Sequence, residues 1–196
     1  MLHYTVITPA EAALAKLCDP AAEVSAHYVI GEDGTFWQLV EEANRAWHAG
    51  VGAWRGESDI NSRSIGIELV NDGAGPFAAA LMDRLVALLA DVMARWAIAP
   101  ENVIGHSDMS PGRKSDPGAR FDWPRLEALG LARGRSLGAV PGDVSFAQFR
   151  ARAQAAGYTA EASDSALLDA VRLRWRPGGR GPLCAEDFRA LGAPLA

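Results

Sequence analysis

The chain has 196 residues, 49% of them hydrophobic and 22% charged, which is enough apolar material for a packed core and too much for a disordered chain. A net charge of -5 argues against nucleic acid as a partner, and no stretch reaches the roughly 18 apolar residues of a membrane span. Two cysteines, Cys18 and Cys184, make no disulfide framework. Residues 1–20 carry Glu11, Lys16 and Asp19 at helix-like intervals and lack the basic start and apolar run of a secretory leader. A complete chain of this kind is expected in the cytoplasm, as a monomer, with a periplasmic or phage-associated location as the alternative.

In chain order, residues 2–6 read as a short strand with only Met1 before it, so either the strand is short or residues precede it. A helix near 9–18 follows, opened by Pro9. Ala26–Ile30 and Thr35–Val40 read as a hairpin around Gly31-Glu32-Asp33-Gly34, and Ser64–Val70 alternates as a strand. Phe77–Ala97 places Leu81, Leu85, Leu88, Leu89 and Val92 at three- and four-residue spacing, a helix with one apolar face. Val103-Ile104 reads as a short strand, Ser107 to Arg120 as an irregular loop, and Trp123–Leu129 as a short helix.

These elements predict an α/β fold, a mixed central sheet flanked by helices over residues 1–132. A Gly- and Arg-rich stretch at 133–143 reads as a linker. Beyond it, Phe146–Ala156, Ser165–Trp175 and Ala185–Leu191 predict a small C-terminal helical domain over 144–196, which has too little core to stand alone.

Of four histidines, His3 and His106 fall where strands are expected to end, and Asp116 follows His106 by ten residues. Two imidazoles and one carboxylate suit a catalytic Zn²⁺, because three protein ligands leave a fourth position for water. Any one of these histidines alone reads equally as a core or surface residue, so spacing by itself supports a metal only weakly.

Six blocks resemble the zinc N-acetylmuramoyl-L-alanine amidases of the amidase-2 group, in order and with fitting spacing. They are Leu2-His3-Tyr4-Thr5, Val24 to Ile30 with Asp33-Gly34, Ala46-Trp47-His48-Ala49-Gly50, Asn61 to Leu69, Gly105-His106-Ser107-Asp108, and Pro111 to Gly118 with Phe121-Asp122-Trp123. The resemblance covers about residues 2–130. It implies that His3, His106 and Asp116 bind Zn²⁺, that Glu68 is the catalytic carboxylate, and that Lys114 stabilises transition-state charge. Only Lys16 and Lys114 among 19 basic residues are lysine, so a lysine inside the motif stands out. The implied reaction is hydrolysis of the amide between the lactyl group of N-acetylmuramic acid and L-alanine, in muropeptides or cell-wall polymer.

His48 reads as a residue of the substrate cleft or as a structural one, and His27 as a core histidine. Asn61 and Arg63 suit the carboxylates and amides of a stem peptide, or a plain loop. Trp37, Trp47 and Trp54 either floor a sugar cleft or sit in the core, and Asp108 either orients His106 or caps its loop. Residues 149–158, 165–172 and 175–177 resemble a three-helix peptidoglycan-binding domain. Its acidic-glycine turn is replaced by Gly178-Gly179-Arg180-Gly181, which leaves a binding module and a structural appendage both open. A non-catalytic peptidoglycan recognition module on the same fold is the alternative, but that class typically loses a zinc ligand, and all four key residues are present. A zinc peptidase cutting within the stem peptide is a third reading.

Overall fold

A computed structural model of the chain describes residues 1–135 and 144–191. Most of the expected linker, 136–143, and the final residues 192–196 lie outside the described residues. Four three-residue strands, β1 (Leu2–Tyr4), β2 (Tyr28–Ile30), β3 (Phe36–Gln38) and β4 (Ile67–Leu69), form one sheet in the order β1-β4-β2-β3. β4 runs parallel to both β1 and β2, and β2 is antiparallel to β3, so the sheet is mixed. The paired runs are shorter than alternation predicts. Val6, at a left-handed φ of 58°, turns the chain out of the extended run after β1.

Successive side chains of a strand point to opposite faces, so register sorts them into rows. Leu2, Ile67 and Tyr28 form one row, and Tyr4, Leu69 and Ile30 another. Apart from Tyr4, these side chains join one core with helix α2 (Ala79–Trp96), which contributes Leu81, Leu85, Leu88, Leu89 and Val92. The row between them is His3, Glu68, Val29 and Trp37, which belongs to the opposite face. Helix α1 (Ala10–Leu17) flanks that second face.

The expected strand at Val103-Ile104 does not form. Leu2 N–H donates to the Ile104 carbonyl at 2.8 Å and Leu2 bridges Gly105, but the pairing stops there. The chain turns at once into α3 (His106–Met109), a single helical turn inside the segment expected to be a loop. Its start is fixed by Asp108, whose Oδ2 accepts from the Gly105 N–H at 2.8 Å. Helix α4 (Trp123–Ala128) returns Trp123 and Leu126 to the sheet core.

Three helices follow: α5 (Phe146–Ala156), α6 (Asp164–Trp175) and α7 (Ala185–Leu191). Ser145 and Ser163 cap the first two through their hydroxyls. Among the described residues these helices share a core with the first unit. Phe149, Val171, Trp175 and Phe188 cluster with Trp54, Ile60, Ile104 and Met109. Trp54 therefore lies in this shared core, edge-on to Tyr158 with ring centroids 5.2 Å apart. No helix among the described residues is long and apolar enough to cross a membrane.

Candidate active site

Because His3 and Glu68 are register partners on parallel strands, they leave the sheet on one face. His3 sits in the middle of β1, not at its end, and His106 is the first residue of α3, not the last of a strand. The loop after α3 brings Asp116 back, tied by Ser107 N–H donating to the Asp116 carbonyl at 2.9 Å. Gly105 is required here, since a Cβ would stand 2.6 Å from Pro117 Cδ and push the loop away.

The three side chains meet. Asp116 Oδ2 lies 2.9 Å from His3 Nδ1 and 3.1 Å from His106 Nδ1, and the two Nδ1 atoms are 2.9 Å apart. All three residues are buried, and among the described residues they form the one group of His, Cys, Asp or Glu with metal-binding proximity. The remaining ring nitrogens set the tautomers. His106 Nε2 lies 2.8 Å from the Ala49 carbonyl, which can only accept, and 3.3 Å from Arg113 Nη2, which makes its shorter bonds to the Ala49 and Val51 carbonyls; the closer contact favours the proton on Nε2 and a bare lone pair on Nδ1. Burial pushes the His3 imidazole down to about 4, with His106 adding to the effect and Asp116 opposing it, so His3 is neutral at pH 7. Burial would raise the Asp116 carboxyl, but its place between the His106 and His3 imidazoles outweighs this and keeps it well below the usual carboxylate range. Two nitrogens and an anionic oxygen converge with a side left open. That donor set fits a divalent cation of the zinc type.

A second layer orients these ligands. His3 Nε2 is 3.1 Å from His48 Nδ1, His48 Nε2 is 3.4 Å from Ser64 Oγ, and Ser64 Oγ donates to the Ile60 carbonyl at 2.7 Å. Read from that terminal acceptor, each donor is assigned in turn, and His3 is left with Nε2–H and a bare Nδ1. Burial, reinforced by the neighbouring His3, holds the His48 imidazole far below its ordinary value. Gly66 makes room for it, since a Cβ there would stand 2.4 Å from His48 Cγ.

Asn61 and Arg63, expected at the substrate, take other places. The buried Asn61 turns inward, its Oδ1 accepting from the backbone N–H of His48 at 3.0 Å and of Ala49 at 2.8 Å. Arg63 is exposed, pairs with Glu57 at 3.2 Å and does not line the cleft. Asn61→Ala strands two buried donors, and each costs about 1–3 kcal/mol. The variant is expected to lose about 2–6 kcal/mol in a urea melt. A loss below about 0.5 kcal/mol would show that water replaces the oxygen.

The cleft above the three ligands is lined by His48, Glu68, His106, Lys114 and Asp116, with Tyr4, Ile7, Leu17, Val24 and Trp47 as walls. Glu68 Oε2 is buried and has no protein partner. Burial, then the charge of Asp116, pushes the Glu68 carboxyl up to about 8, while Lys114 pulls the other way. Trp47 is exposed at the rim with the Arg45 guanidinium 4.3 Å from its ring centroid, whereas Trp37 and Trp54 do not line the cleft. His27 is a core histidine, its Nε2 donating to the Asn44 carbonyl and its Nδ1 accepting from Gly66 N–H. Sequence reasoning passed over Arg113, whose guanidinium donates to the carbonyls of Ala49 and Val51 beside His106.

The family model described as N-acetylmuramoyl-L-alanine amidase matches residues 1–119. The amidase AmiD of Escherichia coli K12 is 42% identical over 147 residues, covering 67% of this chain and 52% of AmiD. The 1,6-anhydro-N-acetylmuramyl-L-alanine amidase AmpD of Enterobacter cloacae is 42% identical over 106 residues, covering 54% of this chain and 57% of AmpD. This chain thus spans about half the length of the curated relatives it matches. The structure of E. coli AmiD with anhydro-N-acetylmuramic acid-L-Ala-D-gamma-Glu-L-Lys superposes with a TM-score of 0.86 at 31% identity, over 97% of this chain and 84% of that one. AmpDh3 of Pseudomonas aeruginosa with an anhydromuramic pentapeptide gives 0.84 at 29% identity, over 97% and 88%. A match across more than half the chain, joined to a shared fold, makes this protein a member of the amidase-2 family of N-acetylmuramoyl-L-alanine amidases.

Proposed function

We propose that this chain is a zinc-dependent amidase that hydrolyses the bond between the lactyl group of N-acetylmuramic acid and L-alanine in muropeptides or peptidoglycan. The observation that carries this reading is the convergence of His3, His106 and Asp116 beneath a cleft that also holds the unpartnered Glu68 Oε2. Relatives whose solved structures contain anhydro-muramyl peptides superpose on nearly the whole chain, which supports the same substrate class here.

His3, His106 and Asp116 are the residues that would hold zinc, which when bound acidifies water and polarises an amide carbonyl. Glu68 accepts the proton of the attacking water at Oε2, keeps it through the tetrahedral stage, and delivers it to the departing alanine nitrogen. Lys114, at the cleft, offers a positive charge to the oxygen on which negative charge develops. Trp47 offers an exposed indole face for a sugar ring, and the apolar side chains of Leu17 and Val24 limit water around the scissile bond.

The test is product analysis by mass spectrometry on a soluble anhydro-muropeptide. The expected products are an intact stem peptide with a free L-alanine amino group and a sugar with a free lactyl carboxylate. Cleavage between amino acids would identify a stem-peptide peptidase. Tight binding with no product would identify a recognition module. Rates on intact sacculi measured beside those on soluble fragments separate a recycling role from a wall-degrading one.

A further inference from the structure

Asp108 is a fully buried carboxylate two residues beyond His106, in a helix of only four residues. A single helical turn cannot hold its own geometry, because nucleation costs more than so few hydrogen bonds return. Two of the groups that hold α3 come from the C-terminal unit. Asp108 Oδ2 accepts from Gly105 N–H and from Arg174 Nη1, both at 2.8 Å, and Oδ1 accepts from Tyr158 Oη at 2.6 Å. Tyr158 follows α5 and Arg174 lies in the last turn of α6.

Both donors are themselves fixed. Trp175 Nε1 donates to Tyr158 Oη at 2.9 Å. The Arg174 guanidinium is 2% exposed, with Trp123 and Trp175 ring centroids 4.1 and 4.6 Å from its central carbon. A guanidinium held against two indoles has one orientation, unlike a flexible ammonium. Removing either member of a buried ion pair leaves the other charge uncompensated, so neither partner can leave cheaply.

We propose that the C-terminal helical unit is a positioning device for the metal site, with Arg174 and Tyr158 acting through Asp108 to fix the turn that carries His106. The proposal rests on the metal reading given above. It makes these helices part of the hydrolase machinery and not a separately moving glycan-binding appendage. Asp108 then has both roles that its place in the motif allows, capping the turn and orienting the ligand, yet it does so through the backbone. The His106 ring itself bonds to Ala49 and not to Asp108.

The test is zinc affinity of the full chain, measured by competition with a chromophoric chelator at a temperature where circular dichroism shows each variant folded. Arg174→Met is expected to weaken zinc binding by about 10- to 100-fold, the range for partners that orient metal ligands. Tyr158→Phe, which removes one hydroxyl, is expected to weaken it several-fold and decides the matter if Arg174→Met does not fold. The double variant is expected to lose less than the product of the two, because both act on one carboxylate. Leu85→Ala, a core truncation on the opposite face of the sheet, serves as the control. It is expected to lower Tm at least as far and leave zinc affinity within about 2-fold. Parent-like affinity in Arg174→Met and Tyr158→Phe overturns the proposal, as does a loss in Leu85→Ala that follows its Tm. A parent chain that binds no zinc defeats the metal reading instead, which is a different result.

Discussion

Asp116→Ala is expected to lose its metal and its turnover together. Asp116 Oδ2 is the atom that both imidazoles face, at 2.9 and 3.1 Å, and it is the one anionic donor of the set. Without it the site keeps two neutral nitrogens, one ligand short of the three that a catalytic zinc position needs. Elemental analysis after a chelating wash is expected to find about one zinc per parent chain and none in the variant. Amide hydrolysis is expected to fall by more than about 10³-fold, since activation of water and of the carbonyl are lost at once. Asp116→Asn sharpens the result, because it keeps the shape and an oxygen while removing the charge. A variant that retains both zinc and rate would show that another group is the third ligand.

The helices were the most legible part of this fold, and the reason lies in their spacing. Leucines at 81, 85, 88 and 89 repeat at the helical period, whereas the Ser145 and Ser163 caps come from the structure. Strand lengths were less legible. Alternation reports which residues suit a sheet, whereas pairing ends where a neighbour diverges, as it does at Val6 and after Ile104. The turn carrying His106 has a visible signal, an aspartate three residues after Gly105, but four residues carry no periodicity and the segment reads as a loop.

In the site, residue type was informative and residue partner was not. Asn61 has the donors and acceptor that a peptide ligand would use, yet its oxygen is taken by the amides of His48 and Ala49. Arg174 stands two residues from Arg172 and from Arg176, and its burial against Trp123 depends on how α6 meets α3 and α4, which no local pattern reports. His3 and Asp116 are 113 positions apart, so residue type joins them only weakly and the family resemblance carries the assignment until the geometry does.

Glu68→Gln is expected to keep zinc and lose at least about 10²-fold in rate, the usual scale of positioned acid–base catalysis. Its position next to His3 in the sheet is set by backbone register, which the substitution leaves alone. Ligand geometry survives, so a loss confined to kcat reports the missing proton acceptor and not a damaged site. A second measurement, on metal-free protein, reads the burial of the same group. The carboxyl is pushed up from 4.5 to about 8, so between those values the native state holds a proton that the unfolded chain has released. Its contribution to stability is therefore fully present below 4.5 and is lost progressively as the pH rises from there to 8. Glutamine does not titrate, so the metal-free variant is expected to match the parent near pH 4.5 and to exceed it by about 4 kcal/mol at pH 8. A pH-independent gap would mean that Glu68 is solvated in the native state. Beside a bound cation the carboxylate form is favoured instead, so the pH-dependent gap is expected to narrow when zinc is restored. Burial alone would leave Glu68 protonated near neutrality, so a cation held beside it is what would make it a carboxylate able to take the water's proton.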